Sequence, residues 1–132
     1  MSATIRINIG PSDLVRIADY LRSEFDGRPE LIVAEDTRAE AGGFTLRYFF
    51  ELPGRDSTAI VSMVMGKDER SFPSLATRWY LASLFEREIH DLFGLKPLNH
   101  PDLRRLLLPD DWQGHALRKD FPLRGYEPYS LE

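Results

Sequence analysis

Phe44-Thr45-Leu46-Arg47-Tyr48-Phe49-Phe50-Glu51-Leu52 carries an apolar residue at every even position, the period of a strand with one face in a core. Pro53-Gly54-Arg55-Asp56-Ser57 follows with turn chemistry, and Thr58 to Met65 is a further β-branched run. The spacing therefore predicts a hairpin. Both of its faces are fairly apolar, which predicts something covering each side.

Upstream, Leu31 to Ala34 is a short β-rich run, and Ile5, Ile7 and Ile9 alternate with Arg6 and Asn8 as a half-buried first strand would. Between them Leu14, Ile17, Ala18, Leu21 and Phe25 fall at helical spacing, with Asp13 in the first turn and Gly27 as the stop. Downstream, Lys67 to Pro73 reads as a charged loop. Ser74 then reads as the N-cap of a second helix, with Leu75, Trp79, Ala82, Phe85, Ile89 and Phe93 on one face and Gly94 at its end. The fold class is α+β: a small mixed or antiparallel sheet with two helices, in the order β-α-β-β-β-α, over residues 1–94.

Residues 95–132 differ in character. Five of the nine prolines, at 97, 101, 109, 122 and 128, fall here and forbid long helices and central strands, leaving Leu103 to Leu108 as a short helical turn. Yet Leu95, Leu98, Trp112, Leu117, Phe121, Leu123 and Tyr126 are too apolar for a disordered tail. This is an extended, proline-rich C-terminal docking arm of the same domain, lying on its own sheet and on another protein. Leu131-Glu132 matches a common expression-vector scar, so the natural C-terminus is expected to lie elsewhere.

A chain of 132 residues with 42% hydrophobic content is one domain large enough to bury a core. It has no cysteine, which excludes disulfides, thiolate catalysis, zinc fingers and cysteine-ligated iron–sulfur clusters, and fits a reducing compartment. A net charge of −4 argues against a nucleic-acid binder. Arg104-Arg105 and Arg118-Lys119 are answered by Asp102 and Asp120. No apolar run approaches the roughly 20 residues that span a bilayer, and no signal-peptide core begins the chain. Exposed apolar arm residues make a homodimer an expectation for the isolated chain.

Glu86, Glu88 and Asp91 are expected near the negative end of the second helix, where each exposed carboxylate costs roughly 0.3–1 kcal/mol. The i,i+4 pairs Glu86/His90 and Arg87/Asp91 return only about 0.2–0.5 kcal/mol each. The arm's cations, Arg104, Arg105, Arg118 and Lys119, are the further partners expected to pin it there. A metal-dependent enzyme using Glu86 and His90 is the catalytic alternative, although neither Glu-x-x-His nor His-Glu-x-x-His is present. His100 and His115 could serve as general bases, or as turn residues whose ring nitrogens satisfy backbone groups. No nucleophile motif and no phosphate loop accompanies them: Gly42-Gly43 reads as a turn, and Trp79 and Phe85 read as core.

Three blocks in order, Glu86-Arg87-Glu88-Ile89-His90-Asp91-Leu92-Phe93-Gly94, His100-Pro101-Asp102-Leu103-Arg104-Arg105 and Gly114-His115-Ala116-Leu117-Arg118-Lys119-Asp120-Phe121-Pro122-Leu123, resemble the signature of the 30 kDa subunit family of respiratory complex I, in bacteria the C subunit of NADH-quinone oxidoreductase. The resemblance implies a non-catalytic subunit of the hydrophilic arm. It would be docked on the 49 kDa-type subunit and other hydrophilic-arm subunits, peripheral on the cytoplasmic side of the bacterial cell membrane. It implies no cofactor in this chain; the complex would supply FMN, iron–sulfur clusters and quinone. Carried over by position, Glu86, Arg87, Glu88, Asp91, Gly94, His100, Pro101, Arg104, Arg105, Gly114, His115, Arg118, Lys119, Asp120 and Pro122 would serve subunit docking and arm anchoring. His90 replaces a usual aromatic, Asn99 a common glycine and Ala116 a usual proline. These departures keep open the homologous subunit of a membrane-bound energy-converting Ni-Fe hydrogenase or formate hydrogenlyase-like complex, whose large subunit would then be the partner.

Overall fold

The computed structural model describes residues 3–104, 114, 115 and 117–119. The element order is β1 (Ala3–Ile9), α1 (Leu14–Phe25), β2 (Arg28–Glu35), α2 (Arg38–Ala41), β3 (Thr45–Leu52), β4 (Ser57–Val64), β5 (Ser71–Pro73), α3 (Tyr80–Phe93) and β6 (Lys96–Leu98). The expected β-α-β-β-β-α order is present, and α2, β5 and β6 are added to it.

The main sheet runs β1-β4-β3-β2, with β1 parallel to β4 and the other pairs antiparallel. The predicted hairpin is β3–β4, closed by a single 3-10 turn at Pro53–Arg55 and by Asp56 in the left-handed region. Its register places Leu46, Tyr48 and Phe50 opposite Met63, Val61 and Ala59, and all six side chains are buried on one face. Leu14, Ala18 and Leu21 from α1 and Ala82, Ile89 and Phe93 from α3 join the same core. The other face of the sheet carries Leu31, Phe49 and Ile60 in one row. Among the described residues this face is only half-covered, with Leu31 40% and Val64 42% exposed. Here the expectation of cover on both sides meets cover on one.

Helix α1 ends as read, with the Gly27 N–H donating to the Leu21 carbonyl at 2.9 Å. Helix α3 begins later than expected. Ser74 does cap, its hydroxyl accepting from the Ala76 N–H at 3.0 Å, but the turn it caps ends at Trp79, whose backbone is extended. The helix proper starts at Tyr80, so Leu75 joins the core from the turn before it.

Strands β5 and β6 flank α3 and pair in parallel as a small β-α-β unit, the helix supplying the crossover that parallel strands require. Pro97 fits because β6 makes its bonds on either side of it, through the Lys96 N–H to the Arg70 carbonyl at 2.7 Å and the Leu98 carbonyl to the Ser74 N–H at 3.1 Å.

Candidate functional site

The end of α3 concentrates the chemistry. A helix leaves its last carbonyls without intrahelical donors and gathers negative partial charge there. Gly94 terminates α3 at φ +75°. Its N–H donates to the His90 carbonyl at 2.9 Å, and the His90 ring pairs through Nδ1 with the Leu95 carbonyl at 3.2 Å. Residues 115–119 of the arm cover this end. The Leu117 N–H donates to the Leu92 carbonyl at 3.0 Å and Arg118 Nε donates to the Phe93 carbonyl at 2.6 Å, so the arm brings both donors and a cation to the negative pole. The His115 ring lies flush on Gly94, where a Cβ would overlap it. Gly is therefore required twice at this position, by φ and by contact.

The arm then crosses to the β2–α2 turn. Asp36, 4% exposed, accepts from the Lys119 N–H at 2.9 Å and from Arg38 through Nε at 2.8 Å and Nη2 at 2.6 Å. The Arg38 guanidinium holds this carboxyl well below the usual carboxylate range, assisted by the Lys119 and Arg38 backbone N–H groups. Lys119 Nζ adds a bond to Glu40 at 3.2 Å. Beneath the crossing lies Phe44, fully buried, with the guanidinium carbons of Arg38, Arg70 and Arg118 at 4.8, 5.0 and 5.5 Å from its ring centre.

Residues 100–104 form a second seam along α3. His100 accepts at Nδ1 from the Asp102 N–H at 3.0 Å, which leaves the proton on Nε2, donated to the Ser83 carbonyl at 3.1 Å. Arg87 Nε donates to the Arg104 carbonyl at 3.0 Å, and Arg104 pairs with Asp102. Both ring nitrogens of His100 satisfy backbone groups, the structural role of the two open at the sequence level.

Glu86 departs from its expected place. It lies in the middle of α3, not in its last turns, and is fully buried. Its carboxylate accepts from the Ser74 hydroxyl at 2.6 Å and from the Leu75 N–H at 2.7 Å, and burial pushes its pKa up to about 7 against the pull of those two bonds. The metal reading loses its donor pair: Glu86 spends both oxygens on the 74–75 turn while His90 faces Leu95. Among the described residues no three His, Asp or Glu side chains converge as metal ligands. The described partners of the arm's cations are likewise not the expected ones, being the Phe93 carbonyl for Arg118, Glu40 for Lys119 and Asp102 for Arg104.

Of the other signature positions, Asp91 is buried, Glu88 is half-buried, Pro101 is exposed and Gly114 has φ +85°. Arg105, Asp120 and Pro122 lie outside the described residues, as do Trp112, Tyr126, Leu131 and Glu132 and most of the Leu103–Leu108 turn. Asp36, Arg38, Phe44 and Ser74 belong to the site although the resemblance did not include them. The only local signal among them is the Asp-x-Arg spacing of Asp36 and Arg38.

Among the described residues no helix is long and apolar enough to cross a membrane. The chain is 32% identical over 130 residues to the C subunit of the NADH-quinone oxidoreductase of Geobacter metallireducens, covering 95% of this chain and 80% of that one. It is 36% identical over 123 residues to hydrogenase-4 component G of Escherichia coli, covering 91% of this chain and 21% of that one. The chain spans about a fifth of the length of this and other curated relatives it matches, including C/D fusion proteins of NADH-quinone oxidoreductase. Among solved structures its fold matches a trypsin-resistant fragment of Nqo5 with a TM-score of 0.64 at 24% identity, over 76% of this chain and 83% of that one. It also matches a chain of the membrane-bound sulfane sulfur reductase, an archaeal respiratory membrane complex, with a TM-score of 0.77 at 18% identity, over 98% and 80%. The family description "Respiratory-chain NADH dehydrogenase, 30 Kd subunit" fits residues 7–127, so the chain belongs to that family.

Proposed function

We propose that the chain is a docking subunit, without a catalytic centre of its own, of the hydrophilic arm of an NADH:quinone oxidoreductase. In this reading it binds the 49 kDa-type subunit on the cytoplasmic face of a bacterial membrane and supports electron transfer from NADH to quinone, while FMN, iron–sulfur clusters and quinone belong to other subunits. The observation that carries it is the latch of residues 115–119 onto the end of α3. Four signature residues, Gly94, His115, Arg118 and Lys119, are spent there on holding an arm in place. Such spending suits a surface preformed for a partner, because ordering the arm in advance lowers the entropy lost on binding.

A second reading has a specific observation in its favour. The 36% identity to hydrogenase-4 component G supports the homologous subunit of a membrane-bound Ni-Fe hydrogenase or formate hydrogenlyase-like complex, with its large subunit as the partner. Both readings use the same arm. Affinity purification of the tagged chain from its native membranes, with mass spectrometry of what is retained at moderate salt, separates them. Recovery of a 49 kDa-type subunit with NADH-oxidising subunits supports the first, and a nickel-bearing large subunit without them supports the second. Recovery of the chain without any redox partner sinks both.

A further inference from the structure

Beside the arm's crossing point, a cavity of about 270 Å³ opens between α2 and the loop that leads into β5, lined by Arg38, Gly42, Lys67, Asp68 and Arg70. Three cations face one carboxylate. The Arg38 charge is already committed to Asp36, which leaves Lys67 and Arg70 to define the chemistry. Arg70 is held rigidly: its guanidinium lies over Phe44, and Nη1 donates to the carbonyls of Lys67 at 3.1 Å and Glu69 at 2.8 Å. Those bonds leave the Nε–Nη2 edge without an acceptor among the described residues, and that edge is the two-pronged fork that matches a carboxylate. Neither Lys67 nor Arg70 takes part in an ion pair among the described residues, Asp68 included. Gly42, at φ +83°, leaves the mouth open, with no atom near where a side chain would begin.

We infer that this cavity receives an acidic side chain of a neighbouring subunit, its carboxylate bound bidentately by Arg70 and assisted by Lys67. The inference rests on the docking reading above and names one contact of that interface. A membrane surface or a nucleic acid fits less well. Asp36, Glu40, Asp68 and Glu69 stand round the same region, so its net charge is too small to hold a polyanion, whereas a single carboxylate needs only the fork. The site also adjoins the arm's anchor, because Arg38 both lines the cavity and holds the Asp36 that accepts from Lys119.

The test compares four forms of the tagged chain in their native complex: unaltered, Arg70→Gln, the double variant Lys67→Glu/Arg70→Glu, and Arg6→Glu. Arg6 is exposed on β1, at the sheet edge opposite β2, and serves as the control. Retention in the complex is read across a salt series, and a photo-crosslinking residue at position 68 is mapped by mass spectrometry. The expected result is release of the double variant at several-fold lower salt than the unaltered chain, an intermediate shift for Arg70→Gln, and none for Arg6→Glu. The crosslink should fall on a partner peptide containing Asp or Glu. Retention of both cavity variants at the unaltered salt threshold overturns the inference and leaves the docking reading standing, as does a crosslink to lipid or nucleic acid. Failure of the unaltered chain to enter any complex overturns the docking reading and this contact with it. Thermal melting of each variant identifies a folding defect, and Arg70→Gln, which introduces no opposing charge, decides the matter if the double variant fails to fold.

Discussion

Glu86 accepts a 2.6 Å hydrogen bond from the hydroxyl of Ser74, twelve residues earlier in the chain, and this bond ties the middle of α3 to the turn that precedes it. The second carboxylate oxygen takes the Leu75 N–H, so one buried side chain satisfies two donors that the break at Trp79 would otherwise strand. The irregular start of α3 and the burial of a carboxylate are one feature.

Stability should fall as pH rises through neutrality because of Glu86. Its carboxyl is pushed up to about 7 from an ordinary 4.5, so between those values the folded chain binds a proton that the unfolded chain has lost. The full effect is about 3 kcal/mol, present below 4.5 and lost above 7. Glu86→Gln keeps an acceptor for the turn and removes the titration. Its denaturant midpoint should be flat from pH 5 to 8 and exceed the unaltered chain's at pH 8. Glu86→Ala should cost about 1–3 kcal/mol at every pH by stranding the Leu75 N–H. A pH-independent unaltered chain would refute the assignment.

Tyr48 offers the opposite case. Its hydroxyl is buried and has no hydrogen-bond partner among the described residues; burial and then the charge of Glu86 hold its phenol well above the usual range. Replacing a buried unsatisfied hydroxyl with hydrogen removes a cost. Tyr48→Phe should raise stability by about 1 kcal/mol in urea unfolding, and a loss of that size would mean that the hydroxyl has a partner.

Gly94→Ala should damage fold and arm together. The left-handed backbone costs a non-glycine residue about 1–2 kcal/mol, and the new methyl must displace the His115 ring. Melting should therefore drop by that amount, with faster hydrogen exchange at the Leu117 amide, which donates to Leu92 beside it. A stability loss with unchanged Leu117 exchange would separate the two effects.

What could be read from the sequence follows the range of each interaction. The alternation of Phe44 to Leu52 is a local pattern, and the structure buries Leu46, Tyr48, Phe50 and Leu52 as that pattern requires. Gly94 was legible for the same reason, since a helix stop is a local event. Strands β5 and β6 were not, because three residues around a proline carry no period and their pairing is made by α3 between them. Ser74 misled because a cap looks the same before one turn as before a helix; what ends that turn is tied to Glu86, twelve residues on. The site divided likewise: the blocks of charged residues flagged α3's end, but Asp36, 83 residues from Lys119, left no local trace of its role.

Asp36→Ala tests that long-range contact. The substitution removes the acceptor of the Lys119 N–H and the buried partner of Arg38, and charge-assisted bonds of this kind are worth roughly 1.5–3 kcal/mol. The Lys119 amide should exchange faster while the Leu117 amide, bonded to the Leu92 carbonyl, should keep its protection, because the two anchors are separate. The pH sign is opposite to that of Glu86. Asp36 is held below its ordinary value of 3.8, so its contribution is complete above that pH and is lost as the pH falls towards the lowered folded value. The unaltered chain should thus lose its advantage over Asp36→Ala only in strong acid, read as converging urea midpoints below about pH 4. Convergence at neutral pH would show that the carboxylate is not paired, and loss of Leu117 protection together with Lys119 would show that the arm is released as one unit.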